Sequence, residues 1–374
     1  MVDFRSALYL GMSHAHRGLP PWTRLTKGLP AALEPPDGSE ALCKKLAKTL
    51  GVESATLGTS TFHLFWDLFG VLASEPLAIY MDSGLYPVVR WGVERVSKRE
   101  VSTFTFPTHN PIALKALLER DRRSGKRPVV VTDGLSPATG RTAPLPDYLQ
   151  LVRERNGYLV IDDTQALGIL GRNPKTANPY GRGGGGSPAW HGLEGSELIV
   201  GSSMAKGFGV PLGILTGNSR VISQFNSQGS TQVHCSPPSA ALISAAMQAL
   251  AINREQGERL RNRLLSRALR FKAGLREIGL NSSGGLFPVQ TLKPVIGLNM
   301  VELHDRLNSL EMLTVLHKPA NGQVPKLSFL LTAQHSTLEI DQCIQALQHL
   351  SGLTRLRRKG QTMMPIERRR PAMA

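Results

Sequence analysis

Short β-prone apolar runs alternate with helical stretches through the middle of this chain, and no other feature narrows its possible folds as much. The runs are Leu77 to Met81, Val129 to Thr132, Tyr158 to Ile161 and Leu198 to Val200. Strands of this kind, separated by helix-length segments, form βαβ units, so the pattern predicts an α/β fold with a mainly parallel central sheet covered by helices on both faces. A helix is expected from Ser39 to Leu50, where Leu42, Leu46 and Leu50 share a face, Asp37-Gly38-Ser39 supplies capping chemistry and Gly51 is a stop.

A chain of 374 residues exceeds what one hydrophobic core usually serves, so a large domain with a smaller companion is expected. The texture changes at Pro237. A long helical pattern runs through Arg276, and strand-like Pro288 to Leu292 then opens a smaller α+β region. The resulting division is an N-terminal arm (1–38), a large domain (39–238), a small C-terminal domain entered through the long helix (239–354), and a tail (355–374). The run Gly181-Arg182-Gly183-Gly184-Gly185-Gly186-Ser187 reads either as a plain linker or as an adaptable loop over a site.

The strand ending at Ile161 is followed directly by Asp162-Asp163. Ligands of open α/β sheets bind beyond the carboxyl ends of the strands, which places Asp162 well for chemistry, although a loop acid or helix cap would look the same. After the next strand comes Gly201-Ser202-Ser203-Met204-Ala205-Lys206-Gly207-Phe208-Gly209. This is not a nucleotide P-loop, because Ala205 precedes the lysine and Gly207 follows it. What remains is a lysine between small residues, where desolvation favours the free amine that forms a Schiff base; alone, it would read as a solvated loop lysine. Together, the two elements meet the needs of a pyridine cofactor: an amine for its aldehyde and an acid for its ring nitrogen. A phosphate site is offered by Gly58, Thr59 and Ser60 ahead of an apolar helix starting near Phe62, a stretch equally consistent with a turn and an ordinary N-cap.

These elements lie among further segments with a recognisable order: Tyr9-Leu10-Gly11-Met12-Ser13-His14, Phe106-Pro107-Thr108-His109-Asn110, Gly140 to Leu145, Asp162-Asp163-Thr164-Gln165 with Gly168 to Gly171, Ser236-Pro237-Pro238, and Leu331 to His335. From about Leu8 to Leu350 the chain resembles the α-oxoamine synthase family of fold-type-I enzymes, which use pyridoxal 5′-phosphate (PLP). The resemblance implies that Lys206 carries the cofactor and Asp162 faces its ring nitrogen. It implies that Gly58, Thr59, Ser60 and Ser203 hold its phosphate, and that Ser230 and Thr231 reach the phosphate of a neighbouring subunit, which makes the enzyme a homodimer with shared sites. Tyr86 stands where the family places a histidine over the ring, and Gln165 where its Asp-x-Ala-His motif has histidine. The family's carboxylate-gripping arginine has no clear counterpart, His317 and Lys318 lying nearest the expected position.

By this resemblance the activity is a carbon–carbon bond-forming acyl transfer, joining an amino acid to an acyl-CoA or acyl carrier protein thioester with loss of carbon dioxide or a proton. Transamination on the same cofactor is the alternative. A non-catalytic binding role is a third, against which the pair Lys206 and Asp162 counts. The net charge of +16 suits acidic partners such as coenzyme A or a carrier protein without choosing among them. Part of it sits in the tail from Arg355, expected to be solvated, and no nucleic-acid module accompanies it. Cys43, Cys235 and Cys343 have neither disulfide nor metal-ligand spacing, so a metal-free protein of the reducing cytoplasm is expected. The sequence shows neither a signal-peptide layout at Met1 to Gly11 nor an apolar run of about 18 residues that could span a membrane.

Overall fold

The computed structural model describes residues 1–352 except 20, 34, 98–100 and 319–323. The tail on which the charge argument drew lies outside the described residues.

The large sheet has seven strands: β1 (Ser54–Gly58), β2 (Leu77–Asp82), β3 (Ser102–Phe106), β4 (Arg127–Asp133), β5 (Tyr158–Asp162), β6 (Leu198–Ser203) and β7 (Gly213–Gly217). Their spatial order is β1-β7-β6-β5-β4-β2-β3, with β7 antiparallel to both neighbours and every other pairing parallel. The four runs read from the sequence are β2, β4, β5 and β6. Their side chains alternate between two buried layers. Val129, Val131 and Val160 pack with Leu64, Phe65, Val89 and Val93 of the helices Thr61–Leu72 and Pro87–Ser97, whereas Val130, Leu159 and Ile161 pack with Leu114, Tyr148 and Leu149 on the opposite face. Burial on both faces is why these strands read as continuous apolar runs.

The helix Ser39–Leu50 forms as expected, but its start differs from the reading above. Gly38 is the N-cap, at φ 81°, and makes no side-chain cap bond; Asp37 is instead ion-paired with Lys27 at 3.0 Å, and the Ser39 hydroxyl is buried without a partner. A glycine in the left-handed region turns the chain into the helix where the anticipated side-chain cap does not form.

The small C-terminal region holds a four-stranded antiparallel sheet built from Ser282–Ser283, Val289–Leu292, Lys326–Leu330 and Val315–His317. Its core is closed by Phe271, Leu303, Phe329, Ile340 and Leu347, and also by Phe4, because Val2–Asp3 pairs with Met312–Leu313. Both regions meet along the 38-residue helix Ala240–Glu277, which spans about 57 Å at 1.5 Å per residue.

The glycine run is neither a free linker nor a lid. Arg261, on the long helix and 1 % exposed, donates to the Gly168 carbonyl at 2.9 Å and to Asn253 Oδ1 at 2.8 Å, and it pairs with Glu258 at 2.7 Å. Glu258 and Asn253 in turn hold the Gly183 N–H and carbonyl. At Gly184, with φ 70°, a Cβ would stand 2.7 Å from the Arg261 guanidinium, so the glycines serve close approach to a buried charge. Arg261→Met should therefore lower unfolding stability by about 2–4 kcal/mol, since it strands a buried carbonyl and part of a charge network. Urea unfolding of the variant checks this, and a change below about 0.5 kcal/mol would show the clamp to be idle.

Candidate active site

Strands β4, β5 and β6 finish side by side. Asp133 and Asp162 are opposite each other in register, and Asp162 is opposite Gly201. Beyond these ends lies a cavity of about 270 Å³ whose polar lining is Thr61, Tyr86, Asp133, Asp162, Thr164, Gln165, Ser203 and Lys206, with Val88, Leu135 and Pro137 as its apolar part. Asp162 and Lys206, which the sequence reading paired, both line this cavity.

Lys206 is carried by a turn after β6 in which Phe208 and Val210 both donate to the Met204 carbonyl. Gly207 presses on the Leu167 carbonyl, where a Cβ would sit at 2.3 Å, and this fixes the loop beneath the lysine. Burial lowers the pKa of Lys206, and the charges of Asp162 and Asp133 oppose that only in part. Asp162 is 7 % exposed and accepts a hydrogen bond from the Thr164 N–H at 3.0 Å; burial raises its pKa, and it makes no ion pair among the described residues. Asp163 points away from the cavity. It accepts hydrogen bonds from the Ser187 N–H and hydroxyl, and burial pushes it up to about 7.

Several other anticipated residues lie at or beside the cavity. Gln165 Oε1 accepts a hydrogen bond from Tyr9 at 2.8 Å, and Tyr9 packs edge-on against Phe287. Ser203 accepts from the Ala205 N–H, while its own N–H donates to Thr164 Oγ1. Tyr86 is half exposed, and its N–H donates to Asp133 Oδ1 at 3.2 Å. Gly58, Thr59 and Ser60 form the turn between β1 and the helix Thr61–Leu72. Ser60 caps that helix, and both hydroxyls contact His63 Nδ1, at 3.1 Å from Thr59 and 2.8 Å from Ser60. From this segment it is Thr61 that lines the cavity.

Other expected residues are not brought there within the single chain. Ser230 accepts a hydrogen bond from Arg95, and Thr231 is tied to Asp67 by its N–H and its hydroxyl at 2.8 and 2.6 Å, a cluster that does not line the cavity. His317 and Lys318 are exposed at the end of a small-sheet strand, His317 facing Ser328 at 3.1 Å, and neither lines the cavity.

Asp133 was missed. Its signal was available, since β4 ends in an acid just as β5 does. Burial, reinforced by the charge of Asp162, pushes its pKa up to about 8. An acid whose folded pKa lies above its ordinary value of 3.8 contributes stability below about pH 4 that is lost as pH rises towards 8. Asp133→Asn should accordingly raise the melting temperature of the cofactor-free protein at pH 8 by a few degrees, on the order of 1 kcal/mol, and leave it nearly unchanged at pH 4. Thermal unfolding at the two pH values tests the sign.

A lysine and carboxylates gathered at the carboxyl edge of a mostly parallel seven-stranded sheet, beside a smaller α+β unit, define the fold-type-I class of transferases. Residues 25–346 match the model of the family described as aminotransferase class I and II, and the chain belongs to that family. Among curated relatives it is similar to the 8-amino-7-oxononanoate synthase of Thioalkalivibrio sulfidiphilus, 28% identical over 60% of this chain and 55% of the relative. It is also similar to 8-amino-7-oxononanoate synthase 1 of Bacillus subtilis, 26% identical over 83% of this chain and 76% of the relative. The matched stretch is thus little more than half the length of the first of these. The fold is similar to that of a serine palmitoyltransferase from Sphingomonas wittichii, with a TM-score of 0.82 at 17% identity, covering 95% of this chain and 88% of the other.

Proposed function

We propose that this protein is a PLP-dependent acyltransferase that condenses an amino acid with an acyl thioester, from coenzyme A or an acyl carrier protein, to an α-amino ketone with loss of carbon dioxide. The observation that carries the reading is the presence of Lys206 and Asp162 in one cavity at the sheet's carboxyl edge. The residues fit the cofactor: a buried carboxylate with no ion pair among the described residues awaits a cationic ring nitrogen, and a lysine made less basic by burial is ready to meet an aldehyde. When bound, PLP supplies that aldehyde and a protonated ring able to accept an electron pair.

The chain's own residues would do the rest. Asp162 holds the ring-nitrogen proton in a site where burial makes the charge interaction strong. Lys206 would hold the aldehyde and, when free, would move protons at the substrate α-carbon. Gln165, anchored by Tyr9, would offer its amide N–H to the ring oxygen, and Tyr86 would lend the ring an aromatic neighbour. The backbone N–H groups opening the helix Thr61–Leu72, with Gly58, Thr59, Ser60 and Ser203, receive the phosphate. A homodimer, in which Ser230 and Thr231 act across the interface, and a cytoplasmic location complete the proposal, as does the domain division at 38/39, 238/239 and 354/355. No described helix is long and apolar enough to cross a membrane.

The test supplies amino acids with acyl-CoA or acyl-carrier thioesters and follows free thiol together with the carbon skeleton of the product. Thiol release that requires both substrates, with an α-amino ketone formed, is the expected result. Keto acid formed from the amino acid without any thioester would replace condensation by transamination.

A further inference from the structure

Asp133 stands at the end of β4 with an acid on either side of it. The spatial order of the strands here is β5-β4-β2, so Asp162 flanks it from β5 and Asp82 from β2. Asp133 and Asp162 are opposite each other in register, and both line the Lys206 cavity. Three carboxylates in such a row, withdrawn from bulk water, repel one another strongly enough that one of them keeps its proton.

The hydrogen bonds decide which. Asp82 is buried with both oxygens engaged as acceptors: Oδ1 takes the Gly84 N–H at 2.8 Å and Oδ2 the His109 N–H at 3.0 Å, a pattern that suits a carboxylate. Asp162 accepts from the Thr164 N–H and is the acid read above as facing a cationic ring nitrogen. Asp133 differs from both. Its Oδ1 accepts the Tyr86 N–H at 3.2 Å, and its Oδ2 meets no donor among the described residues, which leaves that oxygen to carry the proton. Burial first and the charge of Asp162 second push Asp133 up to about 8; Asp82 adds to this, while the Tyr86 N–H and the charge of Lys206 oppose it.

The rest of the lining gives that proton a use. Among the described residues no imidazole lines the cavity, Gln165 is an amide that does not titrate, and phenols, the class to which the Tyr86 side chain belongs, are weak acids near neutral pH. We infer that Asp133 is a further catalytic acid, which stays protonated beside Asp162 and donates from Oδ2 to the carbonyl oxygen of the acyl substrate. As the new carbon–carbon bond forms at that carbonyl, its double bond opens, the electron pair moves onto oxygen and the Asp133 proton is drawn towards it. When the double bond forms again the carbon–sulfur bond breaks, the thiolate leaves with that electron pair, and the proton returns to Asp133. The inference rests on the acyl-transfer reading and adds to it the group that stabilises the charged oxygen.

The experiment uses the full chain with Asp133→Asn and Asp133→Ala. In the cofactor-free protein, infrared difference spectra of the parent against Asp133→Asn should show the carbonyl stretch of a protonated carboxyl at about pH 6, lost as pH rises through about 8. In the cofactor-loaded protein, thioester turnover by the parent should decline over the same range. Asp133→Asn, whose amide still donates but cannot titrate, should lose about tenfold at about pH 6 and show no such decline, whereas Asp133→Ala should lose about 10²-fold. A residue that served only the fold would neither separate the two variants nor flatten the pH profile of one. Absence of the stretch at about pH 6, equal turnover by the two variants, or an Asn variant that declines with pH as the parent does, overturns the inference and leaves acyl transfer standing. Thiol release from no thioester, with the stretch in place, sinks the acyl-transfer reading and the carbonyl role with it, and not the protonation of Asp133.

Discussion

Lys206→Ala is expected to remove the visible absorption of the cofactor-linked protein and to lower turnover by about 10⁴-fold or more, the scale of losing an essential nucleophile. Among the described residues Lys206 is the only lysine in the cavity lining, and the turn that carries it is fixed by Met204 and by the contact of Gly207 with Leu167. The effect should be chemical and not structural. Because burial already disfavours the charged amine, its removal costs the fold little, and the cofactor-free variant should melt within a few degrees of the parent. Lys206→Arg should fail equally, since a guanidinium stays protonated and does not form the linkage. Borohydride reduction followed by peptide mapping decides the matter: a pyridoxyl group on Lys206 in the parent and none in the variants is the expected pattern. A reducible linkage persisting in Lys206→Ala would refute the assignment.

Asp162→Asn should act in opposite directions on stability and activity. The amide has the size of the carboxylate and can still accept the Thr164 N–H bond, so the local geometry is retained. Its lack of charge is what matters. Asp162 has a folded pKa raised by burial, so its contribution to stability is full at low pH and is lost as pH rises through the folded value. The Asn variant, having no proton to lose, should unfold at higher temperature than the cofactor-free parent near neutral pH. Turnover should fall roughly 10³-fold, because a neutral amide cannot hold the proton on a ring nitrogen as the reaction withdraws electrons into the ring. Melting curves and turnover measured on the same preparations give both signs. An Asn variant with ordinary turnover would take Asp162 out of the chemistry, and one that melts lower would show that its charge is compensated by a partner in the folded protein.

The pair Lys206 and Asp162 was legible because each is announced locally: an apolar strand buried on both faces has to end at the sheet edge, and each residue follows such an end. The long helix was legible for a similar reason, since periodicity and glycine spacing are properties of contiguous sequence. Strands β1, β3 and β7 carry weaker signals. Ser102–Phe106 lies at the sheet edge and is only partly buried, so it lacks the continuous apolar run that marked the central strands.

What the sequence by itself determined, then, was the class of fold and two residues that line the cavity at its carboxyl edge, because hydrophobic periodicity is enforced within each element. The tertiary structure alone decided which residues join them. Asp133 faces Asp162 only because β4 and β5 are neighbours in the sheet, and Tyr9 reaches Gln165 across 156 positions of sequence. The glycine run is held in place because Arg261, on a distant helix, packs against Gly184 where a side chain is missing, while Asn253 and Glu258 of that helix bind Gly183. Ser230 and Thr231 were drawn into the Arg95 and Asp67 cluster, and His317 was left at the end of a small-sheet strand. Each of these outcomes depends on strand order and on the path of the long helix, non-local pairings that no window of neighbouring residues encodes.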